Sequence, residues 1–132
     1  MGASLVDLAA GHAFPPITVA LPAAAVRAYC EAVGDEQAIY AEAGLVPPLA
    51  AAALCLGALL REASLPPGSL HANESLAFLR PVPVGAEVVC QTTLAKRSQR
   101  AGWVFSVLDS RLFVDGEAAV TAVATVLSPI EP

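Results

Sequence analysis

Residues 47–63, PPLAAAALCLGALLREA, contain a long apolar segment from which the fold class can be inferred. After the two prolines, every residue from Leu49 to Leu60 is apolar or glycine. Proline is tolerated in the first helical turn, so the pattern predicts a helix over residues 47–63. A helix without a polar face must be covered on all sides. In a chain of 132 residues, only a curved sheet wrapped around the helix can provide that cover. Leu54 and Leu56 are therefore expected to lie inside.

Upstream of this helix, the pattern predicts one strand and one further helix. Residues 17–21 alternate as Ile, Thr, Val, Ala and Leu, which is typical of a short strand. The next helix is expected to begin at Pro22 and to end at Gly34, because glycine readily adopts the left-handed conformation that closes helices. Residues 35–46 are predicted to form a polar turn that contains one short helical piece.

Downstream, the spacing of apolar residues changes from helical to alternating. Four strands are predicted, at 70–79, 86–97, 102–114 and 117–127. Asp115-Gly116 predicts a tight hairpin, because both positions tolerate positive φ. Residues 98–102 (SQRAG) predict a second hairpin loop. One strand, two helices and four antiparallel strands make an α+β fold, which we expect to form a single domain over residues 1–132.

The composition excludes several classes of protein. With 56% hydrophobic and 14% charged residues, the chain is not intrinsically disordered. A net charge of −5 and only 5% aromatic residues argue against nucleic-acid binding. The apolar run at 49–60 is shorter than the about 20 residues of a membrane span, so no membrane association is expected. Residues 1–14 lack the basic segment of a signal peptide.

The cysteines and histidines give no metal-binding pattern. Cys30, Cys55 and Cys90 are far apart, and the chain has only two histidines. We therefore expect no metal and no cofactor, and we interpret the cysteines as small buried residues in a reducing cytoplasm.

Two stretches resemble a known family. The segment 34–48 (GDEQAIYAEAGLVPP) is similar to the Asp-x-Asn-Pro-x-His motif that leads into the central helix of the MaoC-like dehydratases and hydratases. The segment 70–85 (LHANESLAFLRPVPVG) is similar to the strand after that helix, with its Arg-Pro and its Gly. The likeness is greatest to the N-terminal halves of two-repeat members, which lack the His. The resemblance implies the hot-dog fold, an antiparallel sheet wrapped around one long apolar central helix.

The resemblance also implies a chemistry. In this family the Asp and the His hold a water, which is added to an enoyl thioester or removed from a 3-hydroxyacyl thioester. Here Asp35 stands at the Asp position, Gln37 replaces the Asn, and Tyr40 replaces the His. Tyrosine, with an ordinary pKa near 10, is a poor base at neutral pH. Gln37 and the helix start at Pro48 and Leu49 are expected to bind substrate, since N–H groups there can polarise the thioester carbonyl.

A replacement base is expected outside this motif. His71 lies near the start of the strand after the central helix, and Asn73 is expected on the same strand face. Both are candidate catalytic residues, and Glu62 and Glu74 are candidate carboxylates for a hydrolase. The basic cluster at 96–100 is predicted to be a solvated hairpin tip or a contact to the phosphates of CoA or a carrier arm.

Each candidate also has a structural interpretation: Asp35 as a helix cap or turn former, Tyr40 as a loop or core residue, and His71 as a strand histidine bonded to backbone. The predicted function is a (de)hydratase-type protein for β-hydroxyacyl or enoyl thioesters linked to CoA or a carrier protein, in fatty acid or polyketide metabolism. A non-catalytic partner subunit of a heteromeric hydratase and a hot-dog thioesterase or polyketide-type cyclase remain alternatives. Because a lone hot-dog sheet has an open edge, a homodimer or a heterodimer with a hot-dog partner is expected.

Overall fold

The computed structural model describes residues 3–36 and 38–130, without the side chains of Ala38 and Ile39. After a 3₁₀ turn at Leu5–Asp7, the elements are β1 Ile17–Ala20, α1 Ala23–Val33, α2 Ala38–Ala43, α3 Pro48–Glu62, β2 Leu70–Phe78, β3 Glu87–Arg100, β4 Trp103–Val114 and β5 Glu117–Pro129. The predicted order of elements and the α+β class are confirmed. No helix within these described ranges is long and apolar enough to cross a membrane.

The five strands form one antiparallel sheet in the order β1-β3-β4-β5-β2. The central helix α3 packs on one face of this sheet through its small side chains. Ala51 and Cys55 share a buried cluster with Leu112 of β4. Leu59, one turn further along, shares a second cluster with Leu108. The chain therefore has the predicted arrangement of a sheet packed around one apolar helix.

The cover on α3 is incomplete, so the prediction that all its sides are buried is wrong. Its buried residues are Ala50, Ala51, Ala52, Cys55, Ala58 and Leu59. In contrast, the side of Leu49 is open, with 51% of the residue exposed. Leu54 and Leu56 are only partly buried. One five-stranded sheet covers one side of a helix, and apolar residues on the other side stay available for contact with another chain.

The two hairpins differ in how well the sequence predicted them. Asp115 and Gly116 have φ of 51° and 78°, as expected for the tight turn. The other loop is shorter than the predicted 98–102, because β3 continues to Arg100 and only Ala101-Gly102 turn. Polar residues on an exposed strand end resemble a loop in sequence, although backbone pairing with β4 holds them in the sheet.

A bulge in β2 changes which residues share a face. His71 pairs with Val126, and Asn73 pairs with Thr125, the next residue along β5, so Ala72 is an extra residue in the strand. A bulge of this kind breaks the two-residue alternation of side chains. The prediction that His71 and Asn73 share a face is therefore wrong. His71 lies on the helix-facing side of the sheet and Asn73 on the opposite side.

Candidate functional site

A cleft of about 690 Å³ opens between α1 and the segment that contains α2. Asp35 and Tyr40 both line this cleft, as do Arg27 and Glu31 of α1. Its volume lies in the range of about 300–1,000 Å³ that small-molecule sites occupy. The fold thus brings together the two residues at the Asp and His positions of the family motif.

The local backbone explains how Asp35 reaches the cleft. α1 ends at Gly34 in the left-handed conformation, with φ of 73°. The N–H of Asp35 donates to the carbonyl of Cys30 at 2.9 Å, which fixes the carboxylate residue against the end of the helix. Tyr40 lies five positions later in α2, and its carbonyl accepts a hydrogen bond from Leu45 at 3.0 Å. A helix end and a short helix therefore set the position of the pair.

Tyr29 is a neighbour of Asp35 that sequence reasoning did not single out. Partial burial raises the pKa of Tyr29, and the charges of Asp35 and Cys30 raise it further. A phenol beside a carboxylate remains protonated and can donate a hydrogen bond. Tyr29 lies in α1 at helical spacing from Val26 and Val33, a pattern that indicates packing, and no local feature of the sequence marks its proximity to Asp35.

Tyr40 also lines a second, smaller cavity of about 230 Å³, together with Pro48, Phe78 and Arg80. This cavity lies where the start of α3 meets the end of β2. Two backbone hydrogen bonds join the loops on either side, from Val46 to Val82 at 2.7 Å and from Val84 to Gly44 at 2.8 Å. Tyr40 therefore stands between the cleft and the C-terminal end of β2.

The start of α3 offers few backbone donors. Pro47 and Pro48 have no N–H, and the N–H of Ala50 donates back to Pro47 at 2.9 Å. Leu49 is therefore the first residue of the helix that can present an N–H to a ligand. Gln37, the remaining predicted substrate contact, lies outside the described residues.

His71 pairs with Glu74 rather than with Asn73. The Nε2 atom of His71 lies 3.0 Å from the Oε2 atom of Glu74, and the two side chains are 45% and 18% exposed. The described residues that line the two cavities of Tyr40 include neither His71 nor Glu74. At about 3.3 Å per residue, His71 lies roughly 20 Å along β2 from Phe78. The structure does not bring His71 and Asn73 to the Asp35–Tyr40 cleft within one chain.

Glu74 also lines a narrow cavity of about 20 Å³ beneath α3, with Cys55, Cys90, Thr92 and Ser110. The hydroxyls of Thr92 and Ser110 are 2.8 Å apart. A hydrogen bond with Cys90 and burial both raise the pKa of Cys55, so this thiol stays protonated. Cys55 and Cys90 are buried packing residues, as the sequence predicts, whereas the prediction that Cys30 is buried is wrong because it is half-buried and lines the larger cleft.

The basic cluster at 96–100 makes structural contacts at the other end of the molecule. Arg97 donates from Nε and Nη2 to the carbonyl of Val6 at 3.1 and 2.8 Å. The Arg100 guanidinium lies 5.0 Å from the centre of the Phe105 ring. Both arginines already have partners, and Arg97 lines a cavity beside Ser64, just after the C-terminal end of α3. The phosphate contact stays a prediction.

The described residues contain no group of three or more His, Cys, Asp or Glu side chains arranged to hold a metal ion. Besides the carboxyl of Asp35 and the phenol of Tyr40, the cleft is lined by the guanidinium of Arg27, the carboxyls of Glu31 and Glu36 and the thiol of Cys30. Such groups transfer protons and stabilise a developing oxyanion. The arrangement therefore suits acid–base reactions at a carbonyl compound.

Solved structures with the same fold include several hydratases. The (R)-hydratase of A. caviae involved in PHA biosynthesis is 26% identical, with a TM-score of 0.77 and cover of 93% of this chain and 98% of that chain. A MaoC-like dehydratase from Rhodospirillum rubrum is 23% identical, with a TM-score of 0.79 and cover of 99% of both chains. The HadBC complex, a (3R)-hydroxyacyl-ACP dehydratase from Mycobacterium tuberculosis, is 18% identical, with a TM-score of 0.72 and cover of 94% and 100%.

No protein-family model and no curated protein matches the chain. The structural matches confirm the resemblance that segments 34–48 and 70–85 indicated. The chain has the hot-dog fold of the MaoC-like dehydratases and (R)-hydratases.

Proposed function

We propose that this protein is a hydratase-type enzyme that acts on an enoyl or β-hydroxyacyl thioester linked to CoA or to a carrier protein. One observation carries the proposal: Asp35 and Tyr40, spaced as the Asp and His of the family motif, line one cleft in a fold shared with (R)-hydratases. The start of α3 adjoins the same tyrosine through Pro48. Fold alone does not define activity, so the proposal depends on this pair.

The proposed reaction is the reversible addition of water to the double bond. Asp35 takes one proton from the water as its oxygen bonds to the β-carbon. The phenol of Tyr40 gives a proton to the α-carbon, and the proton on Asp35 then returns to the tyrosine. The N–H of Leu49 stabilises the negative charge that develops on the thioester oxygen. The net change is the addition of one water to the double bond. Asp35 and Tyr40 both return to their starting protonation states.

The substrate enters through the larger cleft in this proposal. Its volume of about 690 Å³ accommodates a short acyl group together with part of a pantetheine arm. Arg27 at the wall supplies a positive charge for a phosphate or carboxylate at the entrance. The free cysteines Cys30, Cys55 and Cys90 are consistent with a reducing cytoplasm as the site of action.

The test is hydration of crotonyl-CoA by the purified protein and two variants. Asp35→Asn and Tyr40→Phe should each lower kcat/KM by about 10²-fold or more, the contribution of one positioned acid or base. Asp109→Asn is the control, because this exposed carboxylate lies on β4 and lines neither cavity with Tyr40. Equal rates in all four proteins would reject the Asp35–Tyr40 site.

A second function, a non-catalytic subunit paired with an active hot-dog chain, is favoured by Tyr40 at the position of the family's His. The similar HadBC protein is itself a complex. In both functions we propose that the chain pairs with another hot-dog subunit, either a second copy or a related chain. Sedimentation at micromolar concentration tests this, and a stable monomer in the presence of every candidate partner would contradict it.

A further inference from the structure

The smaller cavity beside Tyr40 has an almost entirely apolar lining of leucine, valine, proline and phenylalanine side chains. Among the described residues that line it, Arg80 alone carries a charge, and Tyr40 is the only other polar side chain. Its volume of about 230 Å³ is below the range of about 300–1,000 Å³ that complete small-molecule sites occupy. The cavity therefore suits one end of a substrate whose remainder lies elsewhere.

The two polar groups of this cavity have different surroundings. Tyr40 also lines the larger cleft, and in the proposed function the reacting part of the substrate lies beside it. Arg80 comes shortly after the C-terminal end of β2, and its side chain is 59% exposed. The cation thus lies on the solvent side of the cavity, and the phenol lies on the side of the cleft.

We infer that the smaller cavity binds the far end of the acyl group, and that this end carries a carboxylate held by the guanidinium of Arg80. The inference rests on the proposed function for the position of the thioester, with the pantetheine arm in the larger cleft. It names a class of substrate: short enoyl or β-hydroxyacyl thioesters whose acyl chain ends in a carboxylate.

The charge of the cavity selects this class of substrate. A cationic chain end would be repelled by Arg80 and would meet no carboxylate among the described lining residues. An uncharged chain end would gain nothing from the guanidinium. A carboxylate against the apolar walls would lose its hydration without a partner, which is costly. The favourable place for a negative charge is the open end beside Arg80, because a guanidinium binds a carboxylate through two parallel hydrogen bonds.

The backbone holds Arg80 in place before a ligand binds. The N–H groups of Leu79 and Arg80 both donate to the carbonyl of Ala119 in β5, at 2.8 and 3.2 Å. Pro81 follows and disfavours helical backbone at Arg80. A fixed backbone reduces the entropy that is lost when a ligand orders the side chain.

Arg80 forms an ion pair within the chain, and this pair is a weak competitor for a substrate. The Nη1 atom of Arg80 lies 2.6 Å from the Oε2 atom of Glu117 in β5. Both side chains are 59% exposed, and water competes for both charges at such positions. The guanidinium has further N–H groups, so a substrate carboxylate binds beside Glu117 or replaces it. Because Glu117 does not line the cavity, its charge only opposes a substrate carboxylate.

Calorimetric binding of unreactive thioesters to the full-length protein tests the inference without any turnover. Glutaryl-CoA and pentanoyl-CoA have acyl groups with the same number of carbon atoms, and glutaryl-CoA has a carboxylate where pentanoyl-CoA has a methyl group. Neither has the double bond or the β-hydroxyl group that the reaction requires. The protein should bind glutaryl-CoA about fivefold more tightly, the contribution of a favourable ion pair at an exposed position. Equal affinities, or tighter binding of pentanoyl-CoA, would overturn the inference.

Two variants of the ion pair should change this preference in opposite directions. Arg80→Gln removes the cation and should abolish the preference for glutaryl-CoA. Glu117→Gln keeps the cation, removes the competing carboxylate and should increase the preference. Both variants break the pair between Arg80 and Glu117, so a purely structural role of the pair predicts the same change in both. That result would also overturn the inference.

Two further variants serve as controls. Arg80→Lys keeps a positive charge and should retain part of the preference, although an ammonium lacks the planar geometry that binds a carboxylate through two bonds. Arg111 is an exposed cation of β4 that lines neither cavity of Tyr40, so Arg111→Gln should bind both thioesters as the unmodified protein does. Loss of the preference in Arg111→Gln would show that it arises from the overall charge, and the assignment to Arg80 would be wrong.

Hydration rates distinguish failure of the inference from failure of the proposed function. Glutaconyl-CoA is crotonyl-CoA with a carboxylate on the terminal carbon, and its kcat/KM should be about fivefold higher, mainly through a lower KM. If the protein hydrates both thioesters equally well and shows no preference for glutaryl-CoA, the inference is wrong and the proposed function stands. If glutaryl-CoA is preferred through Arg80 but neither enoyl thioester is hydrated, the proposed function is wrong and the carboxylate site stands.

Discussion

The imidazole of His71 is held by the carboxylate of Glu74, with Nε2 and Oε2 3.0 Å apart. In a regular strand, residues three apart point to opposite faces. The extra residue at Ala72 reverses that alternation and brings the two side chains to the same side. A single bulge thus converts an ordinary edge strand into one that presents an oriented histidine.

The first prediction concerns how much the His71–Glu74 pair contributes to the stability of the fold. Because His71 is 45% exposed, its pairing with Glu74 contributes little to folding, about 0–1 kcal/mol. His71→Ala should therefore leave the urea unfolding midpoint almost unchanged. A large loss of stability would mean that His71 is a structural residue, and any loss of activity in His71→Ala would then need another explanation.

The second prediction concerns the two sides of α3. Leu59 is 3% exposed, so Leu59→Ala should lower the unfolding free energy by about 2–5 kcal/mol through loss of packing and a residual cavity. Leu49 is 51% exposed, and Leu49→Ala should change it by less than about 0.5 kcal/mol when measured on the monomer. Denaturant titration at low protein concentration gives both values. Similar losses at the two positions would contradict the one-sided cover of the helix.

The third prediction uses the turn between β3 and β4. Ala101 has φ of 54°, a conformation that disfavours side chains with a Cβ atom. Ala101→Gly should stabilise the protein by about 0.5–1 kcal/mol. The control is Ala24→Gly in the exposed part of α1, where the same change should destabilise by a similar amount because glycine weakens helices. Thermal unfolding of both variants should shift in opposite directions.

Local signals in the sequence predicted much of the fold. Gly34 ends α1, and Asp115 and Gly116 form a tight turn, because only certain residue types readily accept positive φ. This preference is a property of the residue itself and can therefore be predicted from the sequence. The apolar run at 49–60 predicted the central helix for the same local reason. Which side of that helix lies open depends on residues far away in the chain, and Leu49 has no local mark that distinguishes it from Leu59.

The candidate site was predictable in part. Asp35 and Tyr40 are close in sequence, so a turn and a short helix suffice to bring them to one cleft. The contact between His71 and Glu74 depends on a bulge at Ala72. Alanine is not a residue type that indicates a bulge, so the sequence did not predict this contact. The proximity of Tyr40 to Phe78 joins parts of the chain that only the finished sheet brings together.

The fourth prediction concerns alkaline pH. A hydrogen bond with Cys90 and burial raise the folded-state pKa of Cys55, whereas an unfolded thiol ionises near 8.5. The raised folded-state pKa means that the unfolded chain alone loses this proton above about pH 8.5, so stability falls as pH rises. The slope from this group should be about 1.4 kcal/mol per pH unit.

The effect of the Cys55 thiol is measured from the unfolding midpoints of the protein at pH 7.5 and at about pH 9.5. Other groups also titrate in this window, so the informative quantity is the difference between the unmodified protein and Cys55→Ala. The variant should be less stable at pH 7.5 and should lose less stability on going to the higher pH. Parallel losses in both proteins would show that Cys55 ionises equally well in the folded state.

The fifth prediction concerns a variant in which position 40 carries the histidine of the family motif. Tyr40→His places an imidazole, with an ordinary pKa near 6.5, where the phenol stands between the two cavities. In this variant the imidazole takes over from Asp35 the removal of the water proton, and a base that is neutral at pH 7 should raise the rate of crotonyl-CoA hydration by about 10²-fold or more. The rate should increase as pH rises through about 6.5, because only the neutral imidazole accepts a proton. Tyr40→Gln, which has no titrating group, is the control and should show no such increase.

The same variant also tests whether His71 takes part. His71 lines neither cavity of Tyr40 and lies roughly 20 Å from Phe78 along β2. The double variant Tyr40→His with His71→Ala should therefore keep the gained rate. If the gain vanishes in the double variant although the protein folds, His71 contributes to the reaction. If Tyr40→His folds and gains nothing, Tyr40 does not occupy the place of the family's catalytic histidine, and the Asp35–Tyr40 site is wrong.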